Sequence, residues 1–211
     1  MLRVISLAAF CSMASMRVCD PMLVSLAREF SVTTGDASAV IAAFAVSYGV
    51  LQLFYGPLGD RLGKVRVVIG ATFACALFSG VTALAPTLPV LVAARAAMGA
   101  SAAGIIPLSM AWIGDNVPYE QRQETLAQLM VATVSGMMAG QWFGGFAVEA
   151  LGWRAAFVVL SLLFLTAASL LWRQSRAMAA STPAPAAGSA VPPAFSLSAY
   201  LANTAALLRM P

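Results

Sequence analysis

Three ionisable side chains, Arg17, Asp20 and Arg95, stand inside long apolar runs. A charge at the centre of a bilayer costs about 2.5–3.5 kcal/mol on insertion scales, so each is a candidate for moving ions or solute. Arg17 and Asp20 are three residues apart and share one helix face. At 1.5 Å per residue from Val4 or Ile5, Arg17 lies roughly 18 Å and Asp20 roughly 22 Å from one side of the membrane. The run holding Arg95 starts from the other side, so Arg95 lies about 10 Å inside a core about 30 Å thick. The three are expected at similar heights, in a cluster lining a central cavity with Asp20 neutralised by Arg17 and Arg95. A carboxylate held between two cations takes up a proton when one cation moves away. The alternative is a static buried ion pair joining two helices.

Other polar side chains could face the same cavity. Tyr48 and Gln52 share a face at i,i+4 and could hydrogen-bond a solute or simply pack. Gln141 falls at roughly the depth of Asp20. The sequence has no His, which removes a histidine proton relay or metal site, and no paired nucleophile and base points to an enzyme. Cys11, Cys19 and Cys75 lie in apolar runs without ligand spacing. Cys11 and Cys19 fall on one expected helix, too far apart to bridge, and all three are read as buried thiols.

The elements that must position these residues follow from composition. The 211 residues are 61% hydrophobic and 9% charged, whereas about a quarter of a soluble domain is charged. Uncharged runs near 20 residues cross a bilayer. Six helices are expected at about 4–26, 37–58, 67–84, 88–113, 125–148 and 155–172, too long and continuous for barrel strands. Arg3 before an apolar run resembles a secretory leader, but the run's continuation to Leu26 argues against cleavage. Lys and Arg divide seven to two between the sides: Arg3, Arg61, Lys64, Arg66, Arg122, Arg173 and Arg176 against Arg28 and Arg154. That asymmetry puts both termini in the cytoplasm. No aromatic-interleaved basic patch points to nucleic acid.

Between the second and third runs, Gly56-Pro-Leu-Gly59-Asp60-Arg61-Leu-Gly63-Lys64-Val-Arg66 is expected to form a tight turn. Its glycines allow close approach or positive φ, and Pro57 suits a helix that is ending. Asp60 would sit at a helix C-terminus, where the macrodipole disfavours an anion. Arg61, Lys64 and Arg66 are the local cations that could compensate it. A second polar loop is expected over 114–124, with Asp115 and Arg122. Gly136, Gly140 and Gly144 at four-residue spacing, with Gly145, mark a helix packing seam. Trp112 and Trp172 near span ends are expected as interfacial anchors.

Residues 1–176 are therefore expected as a transmembrane bundle and 177–194, rich in Ala and Pro, as a cytoplasmic linker. Residues 195–211 regain helical spacing, as a short amphipathic segment leading toward a further span.

The turn at Gly56–Arg66 resembles the signature loop between the second and third spans of the major facilitator superfamily of secondary transporters. Arg17-Val-Cys-Asp20-Pro21-Met-Leu resembles the first-span motif of its bacterial drug and sugar efflux members. Arg95-Ala-Ala-Met-Gly99, followed by Ala102, Ala103 and Gly104, resembles the fourth-span motif, whose Arg is implicated in proton movement. Asp115 to Arg122 resembles the loop after the fourth span, and Gly152-Trp153-Arg154 the opening of the sixth. Gly140-Gln-Trp-Phe-Gly144-Gly145 resembles the fifth-span antiporter motif, but Gln141 stands where that motif has Pro, so uptake stays open beside efflux.

The resemblance covers about Val4 to Arg173. It implies an all-α integral membrane fold, six helices in 3+3 inverted repeats forming one half of a transporter of about twelve spans. It further implies proton-coupled efflux of a small organic solute by alternating access in a bacterial inner membrane, without a cofactor. The implied partners are lipid, solute, protons and a second six-helix half, from the same or another chain. The alternative is a truncated, non-transporting half that acts as an assembly partner.

Overall fold

A computed structural model describes residues 1–181, which form helices and short connections without a strand. The first apolar run is broken into α1 (Leu2–Arg17), a 3-10 turn (Asp20–Met22) and α2 (Leu23–Glu29). Pro21 lacks the N–H that would continue the ladder, so the chain tightens locally instead. A short α3 (Thr34–Ala37) opens the next run with a capping box. Thr33 Oγ1 accepts from the Asp36 N–H at 3.0 Å, and the Thr33 N–H donates to the Asp36 carboxylate at 3.2 Å. The run continues as α4 (Ala39–Leu62), then α5 (Lys64–Ala83), α6 (Leu88–Ala102), α7 (Ile105–Asn116), α8 (Tyr119–Ala150) and α9 (Trp153–Ser181).

Several boundaries differ from the sequence expectation. Helix α4 runs through Gly56, Pro57, Gly59, Asp60 and Arg61, so most of the expected turn is helix. A transmembrane helix tolerates an internal Pro when its surroundings satisfy the freed backbone. Only Gly63, at φ 91°, leaves the helical region, a conformation that glycine adopts without a Cβ clash. The loop expected over 114–124 shrinks likewise to Val117–Pro118, with α7 on one side and α8 on the other. The fourth run is two helices, interrupted at Ala103–Gly104. Helix α9 extends to Ser181, past the boundary expected after Arg176. The rest of the expected linker, and the segment 195–211, lie outside the described residues.

Five stretches are long and apolar enough to cross a membrane: Leu2–Glu29, Thr34–Leu62, Lys64–Ala83, Leu88–Asn116 and Trp153–Met178. Helix α8 has 32 residues, but its Gly, Gln, Ser and Thr leave it less apolar than these five. It nevertheless joins opposite ends of the bundle. Met1, Arg66, Trp112 and Arg176 border one groove at the end where α8 starts. Glu29, Ala85, Trp153 and Arg154 meet at the end where it finishes.

Three helix pairs dominate the packing: α1 with α8, α4 with α6, and α5 with α9. Glycine decides the first. A Cβ on Gly136, Gly140 or Gly144 would stand 2.3, 2.2 or 2.2 Å from the carbonyl oxygen of Phe10, Ala14 or Val18. Both series climb in steps of four, so α1 and α8 run parallel with their backbones in near contact. Gly99 lets α6 approach the Phe44 backbone of α4 in the same way, since a Cβ there would stand 2.3 Å from the Phe44 carbonyl oxygen. Helices α5 and α9 are antiparallel and pinned by hydroxyls: Ser79 Oγ donates to the Phe157 carbonyl at 2.9 Å and Ser161 Oγ to that of Ala76 at 2.7 Å. The apolar core divides into two clusters, one around Phe44, Met98 and Phe164, the other around Met22, Leu91 and Phe157.

Candidate functional site

Arg95 lies where these two clusters meet. Its side chain is fully buried, with the guanidinium carbon 4.3 Å from the Phe44 ring centre and 5.9 Å from that of Phe157. Nη1 donates to the Ser15 carbonyl at 3.0 Å and approaches Met98 Sδ at 3.5 Å. Nε and Nη2 have no hydrogen-bond partner, nor have the nearby hydroxyls of Ser12 and Ser15 on α1. An unmatched buried guanidinium is costly, and face contact with two aromatic rings offsets part of that cost.

Arg17 and Asp20 form an ion pair at 3.2 Å, with side chains 45% and 23% exposed. No ion pair joins Asp20 to Arg95 among the described residues. On the first run the guanidinium hydrogen-bonds the Ser15 carbonyl instead. Rise along a helix gave only an expected height, and the rotation of α6 turns Arg95 toward Phe44, Phe157 and α1. The cluster is thus a half-exposed pair at the Pro21 break, beside a buried and only partly satisfied cation.

The remaining expected cavity residues divide. Tyr48 is half-buried and stacks on Phe44, ring centres 6.1 Å apart. Gln52 and Gln141 are exposed. Ser12, Ser15, Phe44 and Phe157 were missed by sequence reasoning, since nothing in an apolar run says which of its residues will face a distant charge.

At the other polar centre, Lys64 bridges two carboxylates. It hydrogen-bonds Asp115 of α7 and lies 4.0 Å from Asp60 of α4. Compensation of Asp60 therefore comes from Lys64, while Arg61 and Arg66 form no ion pair among the described residues. Arg122 pairs with no acid among the described residues. It reaches the Val117 carbonyl at 3.4 Å and lies 5.9 Å from the Tyr119 ring centre. Gly59 packs against Leu108, and a Cβ there would come within 2.4 Å of its side chain, whereas a Cβ on Gly56 would meet nothing.

The profile of the Major Facilitator Superfamily matches residues 5–210. The chain belongs to the Major Facilitator Superfamily. It is a transporter-family chain rather than an enzyme, and an integral membrane protein. Multidrug export protein EmrB of Haemophilus influenzae is 25% identical over 169 residues, 80% of this chain and 33% of that protein. Multi-drug resistance efflux pump PmrA of Streptococcus pneumoniae is 32% identical over 132 residues, 62% of this chain and 33% of that protein. The crystal structure of the POT family transporter PepTSo superposes with TM-score 0.73 at 16% identity, over 83% of this chain and 37% of the other. This superfamily chain therefore spans about a third of the length of those curated relatives.

Within the superfamily chain, a further polar contact closes the end opposite Lys64. Glu29, at the last turn of α2, accepts from both Trp153 Nε1 and Arg154 Nη1. Arg154 Nη2 also donates to the Ala85 carbonyl at 3.2 Å. Arg154 thus ties the first run, the turn before α6 and the start of α9. The Gly-Trp-Arg triplet was its only trace in the sequence.

Proposed function

We propose that this chain forms half of a secondary active transporter that exports a small organic solute in exchange for protons by alternating access. The observation that carries this reading is the Arg17–Asp20 pair, half-exposed at a helix break and close to the buried, incompletely bonded Arg95. A carboxylate with one mobile cationic partner and a second, fixed cation not bonded to it changes its proton affinity when the break flexes. Gln52, Gln141 and Tyr48 would share the solute pathway. The printed names of EmrB and PmrA favour export over uptake.

Six spans in two inverted repeats fit the packing. Under exchange of the first three spans with the last three, the α1–α8 pair maps onto α6–α4, and α5–α9 maps onto itself. The gathering of Arg66 and Arg176 beside Met1 supports cytoplasmic termini in the inner membrane. Lys64, Asp60 and Asp115, with Gly59 and Gly63, would hold the cytoplasmic ends of three spans as one rigid gate; Gly56, Arg61, Arg66 and Arg122 complete that motif. A second six-helix half would cover the exposed face of α4 at Val46, Val50, Phe54 and Leu58.

The test is flux in proteoliposomes containing the purified protein, with lipophilic fluorescent cations as solutes and an imposed pH gradient. Gradient-driven movement is expected, and Asp20→Asn should abolish it while sparing solute exchange without a gradient. Unaltered coupling in Asp20→Asn removes the proton role. Absence of flux from a monomer that gains it on co-expression with a second half supports the assembly-partner alternative.

A further inference from the structure

At the end of the bundle holding Met1 and Gly63, helices α5, α7 and α9 leave an open groove of about 640 Å³. Its mouth is cationic. Arg66 stands in the first turn of α5, where the helix dipole adds positive potential. Arg176 of α9 stands 5.2 Å from the ring centre of Trp172. Neither guanidinium is in an ion pair among the described residues, and no carboxylate lines the groove.

Deeper in, the lining turns apolar, with Ile69, Gly70 and Phe73 along α5 facing Trp172. Phe73 lies about 10 Å beyond Arg66 at helical rise. Gly70 is the informative residue. A glycine inside a helix is less favourable than alanine by roughly 0.5–1 kcal/mol, which close helix packing usually recovers, yet a Cβ on Gly70 would meet nothing within 4 Å. The missing side chain instead leaves a hollow. A second groove of about 510 Å³, toward Tyr55 and Leu58 on the other side of α5, shares Arg66 and Gly70 with the first. Two apolar channels therefore diverge from one cationic point across a glycine saddle.

We propose that Arg66 and Arg176 bind the phosphate of an anionic diacyl phospholipid whose two chains lie in the grooves on either side of Gly70. Paired guanidiniums match a phosphate diester, and basic pockets between spans recruit anionic headgroups. A zwitterionic lipid fits less well, because the groove offers no carboxylate to its ammonium group.

Native mass spectrometry of the purified, delipidated protein offered equal phosphatidylglycerol and phosphatidylcholine tests this. Phosphatidylglycerol should be retained in preference. Arg66→Gln and Arg176→Gln should each lower that preference about fivefold. Gly70→Leu keeps both charges and has room to fold, so it should leave the thermal midpoint near wild type while lowering phospholipid retention. Equal retention of the two lipids, or a preference unchanged in the double arginine variant, overturns the proposal. Displacement of bound lipid by millimolar inorganic phosphate overturns the lipid assignment in favour of a free anion.

Discussion

Arg95 Nη1 donates to the backbone carbonyl of Ser15 across 3.0 Å, from the fourth apolar run to the first. Ser15 lies in the last turn of α1, which ends at Arg17, and the final carbonyls of a helix have no partner within it. A guanidinium there satisfies one of them and complements the negative end of the helix dipole. Arg95 is thus the cap of a helix to which it does not belong, at the point where that helix breaks.

Arg95→Met should separate stability from function. It removes a buried cation with two unpartnered nitrogens, and replacing buried charges with apolar groups of similar volume is often neutral or stabilising by about 1–4 kcal/mol. The thermal midpoint in detergent is expected to stay level or rise while solute flux disappears. A sharp fall in the midpoint would make Arg95 chiefly structural.

The glycine seam between α1 and α8 predicts a contrast. Gly140→Ala places a Cβ 2.2 Å from the Ala14 carbonyl oxygen and should destabilise by about 1–3 kcal/mol, the usual cost of overpacking. Gly145→Ala, whose nearest neighbour is 3.7 Å away on Pro21, should be neutral or slightly stabilising. Thermal unfolding of the two single variants decides it, and equal losses would contradict the seam geometry.

Lys64 serves two acids unequally. A double-mutant cycle between Lys64 and Asp115 should give coupling of roughly 0.5–1 kcal/mol, because the ion pair is direct and Lys64 is largely buried. The cycle between Lys64 and Asp60, 4.0 Å apart with Asp60 exposed, should give only a few tenths of a kcal/mol. Both values should shrink in high salt. Melting curves of the singles and doubles at two ionic strengths provide the measurement.

Glu29 accepts two donors, so Glu29→Gln keeps an acceptor for Trp153 while losing the charge opposite Arg154. Arg154→Ala also frees the Ala85 carbonyl. The second variant should lose more stability, by about 1 kcal/mol for the additional hydrogen bond. Limited proteolysis of the turn near Ala85 should quicken in Arg154→Ala and stay near wild type in Glu29→Gln.

Much of this was legible without coordinates. Apolar runs of bilayer length located five of the helices, because backbone buried in lipid must bond to itself. Four-residue spacing of Gly136, Gly140 and Gly144 announced a close seam, yet did not say that α1 was its partner. The turn at Gly56–Arg66 was misjudged in extent because local rules weigh Pro57 and glycine as helix breakers. The helix runs on through them and ends only at Gly63, the single residue of that stretch with positive φ.

The sequence by itself determined that the chain carries apolar runs of bilayer length and that Arg17, Asp20 and Arg95 stand inside them. It gave the first run as one span, and the break at Asp20–Met22 came from the structure. Tertiary structure decided which way each helix turns. Rise per residue is set by the backbone ladder, whereas rotation is set by which small residues permit the nearest approach between neighbours. Gly99 against Phe44 and Gly140 against Ala14 fix that rotation. It gives Asp20 to Arg17 alone and turns Arg95 onto the end of α1.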